Sequence, residues 1–319
     1  MENEKFMKKR EPAPREVTLP WIRRHRQQVG LAIVTIIAVL SLCGSLAVSG
    51  QTGSKCLWSV SSERNTVYLL GSIHLLSRWD YPLDEDFEAA YRDSSVIVFE
   101  TDLEEMDRPE TQTLMMQHSL LPKGRFIRDF LSSSTLRMLE QHLDKQGLDM
   151  VQFEGLQPWT CALTLTMLEL RKRGYLPRYG LDRYFYQNAK QDVKKIVPLE
   201  SVQEQLTLFF ELGRMEQDAF LKRTLMDLNK IESLFPEMLA LWKTGNLKQL
   251  DRIMQASFAG HPALYKKFLT DRNARWMPII EGLIGQPENA LVIVGASHLG
   301  GKAGVVTQLA QKGYTVVQW

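Results

Sequence analysis

Two histidines and two glutamates follow apolar runs in matching positions along this chain. Gly71-Ser72-Ile73-His74 closes the run from Thr66 to Leu70, and Gly295-Ala296-Ser297-His298 closes the run from Ala290 to Val294. Glu100 follows Val96-Ile97-Val98-Phe99, and Glu200 follows Lys195 to Leu199. Two imidazoles with one or two carboxylates suit a divalent transition metal. A His₂Glu set plus water is a common zinc-hydrolase arrangement, in which the metal lowers the pKa of the water to about 7. The same groups also suit metal-free acid–base work, with a carboxylate orienting a histidine. The residues alone leave both readings open. Gly71 and Gly295 are candidates for close approach of a cofactor or ligand, because glycine lets the backbone turn sharply. Arg272, in Asp271-Arg272-Asn273-Ala274-Arg275-Trp276, can bind a substrate carboxylate or pair within its helix.

Plainer explanations exist for each group taken singly. A histidine after an apolar strand is usually a cap or a core residue, although a matched pair argues against that. Glu100 also reads as a solvated strand end, and Glu200 as the acid at a helix start. His118 and His142 lie in amphipathic helical stretches and read as surface or boundary residues. His261 precedes a proline in a loop. The chain has no His-Glu-x-x-His, no Gly-x-Ser-x-Gly and no phosphate-cradling loop.

The elements that must position these groups read as an α/β fold. Two similar βαβ units, each with Gly-x-x-His at a strand end, bracket a large helical middle. The runs ending at Leu70 and Val294 are apolar on both faces, as central strands of a parallel sheet are. A βαβ connection makes its strands parallel, and ligands in such sheets bind beyond the C-terminal strand ends. With all four strands parallel, that edge collects His74, Glu100, Glu200 and His298. Leu57-Trp58-Ser59-Val60 alternates like an edge strand. Pro198 puts Lys195–Leu199 at an edge or places the proline at a strand end. Between the units, helices are predicted from Thr135 to Leu148, from Pro158 to Gly174 and from Arg183 to Gln191. Ser201-Val202-Gln203-Glu204 is a capping box, and breaks fall near Gly213, Pro236, Gly245 and Gly260-His261-Pro262.

The charge is uneven. Residues 1–28 hold eight Lys or Arg against four Asp or Glu, while the rest holds 31 against 33. Nothing in that remainder suggests a nucleic-acid surface. Residues 1–28 read as a disordered cytoplasmic tail. Residues 29–48 carry no charge and are long enough to span a bilayer, for which about 20 apolar residues are needed. With the basic flank Arg23-Arg24-His25-Arg26 held inside, they read as a transmembrane signal anchor that partners the membrane and places residues 53–319 outside the cytoplasm, in the periplasm of a Gram-negative cell. Ala47-Val48-Ser49 offers a cleaved and secreted alternative. Cys56 and Cys161 either form a disulfide, which export permits, or stay as buried thiols.

Taken together, the two Gly-x-x-His motifs, Glu100, Tyr179-Gly180-Leu181-Asp182, Leu199-Glu200 and Arg272-Asn273 resemble the TraB/GumN family over about Leu57 to Trp319. The family includes bacterial pheromone-shutdown proteins and the animal TIKI metalloproteases. The resemblance implies a metal-dependent hydrolase in which His74, Glu100 and His298 hold a divalent ion (zinc, manganese or cobalt). Glu200 is then a further ligand or the base that activates water. On this reading the protein is a membrane-anchored hydrolase, a peptidase acting on a peptide or small-molecule substrate. The alternatives are a haem- or metal-binding protein without turnover, and a signalling or inhibitory module with a vestigial site.

Overall fold

The computed structural model of the chain describes residues 54–319. The expected tail at 1–28, the expected span at 29–48 and the alternative cleavage site lie outside the described residues. Among the described residues no helix is long and apolar enough to cross a membrane. The longest, Pro158–Lys172 and Arg214–Leu228, have 15 residues each, against the roughly 20 that a bilayer needs. Against the expectation of a membrane partner, a signal anchor and an extracytoplasmic location, the described residues supply no such helix, and none of the three is carried forward.

Six strands form one sheet: β1 (Leu57–Ser61), β2 (Thr66–Ser72), β3 (Val96–Phe99), β4 (Lys195–Pro198), β5 (Ala290–Gly295) and β6 (Val316–Gln318). Their spatial order is β4-β3-β5-β2-β1-β6. β4, β3, β5 and β2 run parallel to one another, and β1 is antiparallel to both β2 and β6. The strands are where the apolar runs put them, and every residue of β3 and β5 is buried. β4 is an edge strand and also ends on its proline, so both readings of Pro198 hold.

Two expectations about the sheet change. β1 is not an edge, because β6 pairs along it from Trp58 to Val60. The two βαβ units are also not separate. β5 lies between β2 and β3, so the last part of the chain is inserted into the first unit. The insertion brings the two Gly-x-x-His motifs onto adjacent parallel strands, with Ser72 in register with Gly295.

The helical middle carries its own aromatic core, in which Phe209 lies 5.5 Å from Trp159, 6.1 Å from Phe220 and 5.1 Å from Phe268 between ring centroids. Helices form at Ser133–Gln146, Pro158–Lys172 and Leu181–Gln191, close to the predicted spans. Ser201 and Glu204 close the predicted capping box ahead of Val202–Phe210. Pro236 does not break the chain; it sits inside Ile231–Lys243. A proline there costs about 3 kcal/mol, which the burial of Leu234, Phe235, Met238 and Leu239 offsets. His142 is buried rather than a surface residue, so its replacement removes core packing. Cys56 and Cys161 are both buried and free, as the thiol alternative has it.

Candidate functional site

The sheet brings the four predicted groups to one edge. Glu100 and Glu200 follow the parallel neighbours β3 and β4, and the ladder continues through them: the Glu200 N–H donates to the Glu100 carbonyl at 2.9 Å. His298 ends the 3₁₀ turn Ala296–His298 after β5, and His74 lies just beyond β2. A methyl group built on Gly295 would stand 3.2 Å from Glu100 Oε1, 3.3 Å from His74 Nε2 and 3.7 Å from His298 Cδ2. The three residues therefore face one point, and a side chain at 295 would crowd it. The Gly295 N–H also donates to Glu100 Oε1 at 2.7 Å. Gly71 has a different role. A Cβ there would collide with Cys56 Sγ, and its carbonyl accepts from Trp242 Nε1 at 2.7 Å. It is a packing glycine of the strand, and the structure gives it no contact with the polar cluster.

Arg272 occupies the centre of the cluster, fully buried. Nη2 lies 2.6 Å from Glu100 Oε2 and 2.6 Å from Glu200 Oε1, and Nε lies 3.1 and 3.2 Å from the two Glu200 oxygens. Nη1 lies 3.0 Å from His298 Nε2 and 3.4 Å from the Phe268 carbonyl. The Trp276 ring centroid is 4.6 Å from the guanidinium carbon, and the Trp276 indole N–H donates to Glu200 Oε2 at 3.2 Å.

These contacts fix the protons. A guanidinium only donates, so His298 Nε2 must offer its lone pair. Its Nδ1 then carries the proton and donates to Asn273 Oδ1 at 2.6 Å. Asn273 is itself oriented by donating to the carbonyls of His298 and Ala303, at 3.1 and 2.8 Å. His298 is thus a neutral imidazole in one tautomer. Burial and the adjacent Arg272 charge push its pKa down to about 3. Burial alone would raise Glu100, but Arg272 first and then the histidines hold it down at about 2. Burial pushes Glu200 up against the pull of Arg272, while the N–H donors on both its oxygens hold it in the carboxylate form.

His74 sits in a contrasting environment. Its Nδ1 lies 3.1 Å from Asp182 Oδ1, an ion-pair contact whose angle falls short of an aligned hydrogen bond. Ser72 Oγ donates to the same Asp182 oxygen at 3.1 Å. Nε2 faces Glu100 Oε1 at 3.9 Å. Burial opposes charge on this ring, but Asp182 and then Glu100 outweigh it, and the pKa is raised. The turn that supplies Asp182 is docked tightly on the His74 segment. The Leu181 N–H donates to the Ile73 carbonyl at 3.1 Å, and a Cβ on Gly180 would collide with the His74 carbonyl. Close approach rather than backbone angle requires that glycine.

The expected metal centre does not survive this geometry. Among the described residues no group of three or more His, Cys, Asp or Glu side chains is arranged to hold a metal ion. The physical reason is Arg272. A ligand must offer a free lone pair to the ion, yet His298 Nε2 and Glu100 Oε2 already face a permanent cation. The guanidinium supplies the positive charge that a metal would bring to these acids. His74, Glu100 and His298 converge, but the set does not fit a divalent ion, and this corrects the metal assignment. The cluster is also closed to solvent: His74 is 6 % exposed, Glu100 5 % and His298 1 %.

Four residues of the cluster were given no role from the sequence. Asp182 stood only in the stretch Tyr179-Gly180-Leu181-Asp182, and its neighbours gave no sign that it turns toward Ser72 and His74. Asn273 and Trp276 share a helix face with Arg272, and the only signal was the Arg-Asn pair itself. Gln205, whose Nε2 lies 3.3 Å from Glu100 Oε2, had no signal.

Fold and site together define an α/β protein with a buried Arg–carboxylate–histidine cluster at the parallel strand ends. The profile of the TraB/PrgY/gumN family matches residues 56–318, and the chain belongs to that family. Among curated proteins it is similar to "Uncharacterized protein YbaP" of Escherichia coli strain K12. The two are 24 % identical over 242 residues, covering 76 % of this chain and 87 % of the relative. A protein of the same name from Shigella flexneri matches to the same extent. No solved structure matches it at a significant level.

Proposed function

We propose that the cluster is the active site of a hydrolase acting on a peptide or small-molecule amide, by acid–base chemistry on water rather than through a metal. One observation carries this reading. Arg272 engages Glu100, Glu200 and His298, which leaves His74, backed by Asp182, with its Nε2 directed at the convergence point. In its neutral form His74 takes a proton from water through Nε2. The water oxygen bonds to the substrate carbonyl carbon, the C–N bond breaks, and the amine leaves with the proton that His74 had taken up. Asp182 stabilises the imidazolium in between, as a buried carboxylate beside a histidine does. Glu100, held ionised by Arg272, orients the water from the other side. His298 supports the guanidinium and stays neutral.

The test is hydrolysis of a mixed peptide pool followed by mass spectrometry, with and without a strong chelator. Turnover that survives chelation and disappears in His74→Ala is the expected result. Turnover lost on chelation and restored by one divalent metal would return the metal mechanism. The near-complete burial of the cluster supports a second reading, a binding site without turnover. Saturable peptide binding with no cleavage by the unmodified protein would select it.

A further inference from the structure

One buried polar atom beside the cluster has no partner within the protein. Gln205 is 1 % exposed, and its Oε1 accepts no hydrogen bond. Its orientation is not arbitrary. Nε2 lies 3.3 Å from Glu100 Oε2, and a flipped amide would set one acceptor against another. Glu100 Oε2 already accepts from Arg272 Nη2 at 2.6 Å, so the amide must present its N–H side. Oε1 is therefore turned away from the carboxylate and faces no donor. The next residue after Glu100 repeats the pattern: Thr101 is 1 % exposed and its hydroxyl is unpartnered.

Buried polar groups are paired in the great majority of cases, and leaving one unpaired costs about 1–3 kcal/mol. Natural sequences retain such a cost where the missing partner comes from outside. Gln205 Oε1 is acceptor-only, so its partner must be a donor. We propose that Gln205 is a specificity-determining residue, whose Oε1 receives an N–H of the bound molecule and selects a secondary amide over an ester or a tertiary amide. The assignment of that molecule as substrate rests on the hydrolytic reading; the donor requirement does not. Such a contact discriminates well, because the analogue lacking the N–H leaves Oε1 buried and unpaired.

The experiment uses the full chain with glutamine side chains labelled with ¹⁵N, titrated with N-methylacetamide and in parallel with N,N-dimethylacetamide. The two probes differ by one N–H. The proposal expects the Gln205 side-chain signal to shift saturably with N-methylacetamide only. Equal shifts with both probes, or with neither, would overturn it. So would an ordered water that fills the Oε1 position and that N-methylacetamide cannot displace. The second arm compares a peptide pool with a matched depsipeptide pool. Gln205→Met should lower kcat/KM on the amides about tenfold, the worth of one such hydrogen bond, and leave the esters nearly unchanged. Equal losses on both pools would overturn the selectivity. If the unmodified protein cleaves neither pool, the hydrolytic reading fails and the titration alone decides the role of Gln205.

Discussion

His74 and His298 carry the same Gly-x-x-His motif on adjacent parallel strands, yet the fold gives them opposite electrostatics. His74 faces a carboxylate through Nδ1 and another through Nε2, and its pKa is raised. His298 faces a guanidinium and an amide oxygen, and its pKa is lowered to about 3. A pair of titratable groups driven apart in this way fits the division of labour proposed above, in which one ring exchanges protons and the other holds the machinery in place. The motif puts a histidine at a strand end, and the partner opposite decides what that histidine does.

The largest expected effect comes from removing the group that separates them. Arg272→Leu leaves Glu100 and Glu200 buried without their counter-charge, a loss of about 3–5 kcal/mol. Urea unfolding would measure it, and a loss below about 1 kcal/mol would mean that the cluster is not held by Arg272. The histidines should then differ in kind when each is removed. His74→Ala should lower turnover by about 10²–10⁴-fold, the usual contribution of a general base. His298→Ala strands an Arg272 N–H and Asn273 Oδ1, at about 1–3 kcal/mol each; its main signature is a fall in stability. Equal stability losses in the two variants would erase the distinction. His142 is no control, being buried. His261 is exposed, and His261→Ala should stay within about 0.5 kcal/mol.

The pH dependence sharpens the same contrast. His74 has a raised folded pKa, so its stabilisation is complete below the unfolded value and is lost as pH rises through the folded one. His298 has a lowered folded pKa, so the unfolded chain takes up a proton that the native ring resists. Its environment therefore costs stability as pH falls from the ordinary histidine value of about 6.5 toward about 3. Glu100 behaves as a paired acid, stabilising above the ordinary carboxylate value and failing as pH falls toward about 2. Imidazole NMR should show His74 titrating above the usual range while His298 stays neutral through pH 5. Two superimposed titration curves would contradict the assignment. A smaller effect than that of His74→Ala is expected from Asp182→Asn. With its main counter-charge gone, the pKa of His74 should fall and carry the acidic limb of the pH–rate profile to lower pH. An unmoved limb would separate Asp182 from the base.

The sequence by itself determined the strands and their polar ends. Apolar runs such as Val96–Phe99 and Ala290–Val294 can be satisfied only in the interior of a sheet, and strand polarity then forces Glu100, Glu200 and the two motifs to one edge. The capping box at Ser201 and the helix from Pro158 were legible for a similar reason, because local chemistry sets them. Tertiary structure decided everything that depended on who faces whom. The insertion of β5 between β2 and β3 is a choice of strand order, which no local pattern encodes. The replacement of a metal by Arg272 depends on a helix from another part of the chain arriving over the strand ends. Asp182 and Gln205 are ordinary helix-start residues until that packing turns one toward His74 and the other toward Glu100. Periodicity is a property of neighbours in sequence, whereas charge pairing and burial are properties of neighbours in space, and the division of labour between the two histidines belongs to the second kind.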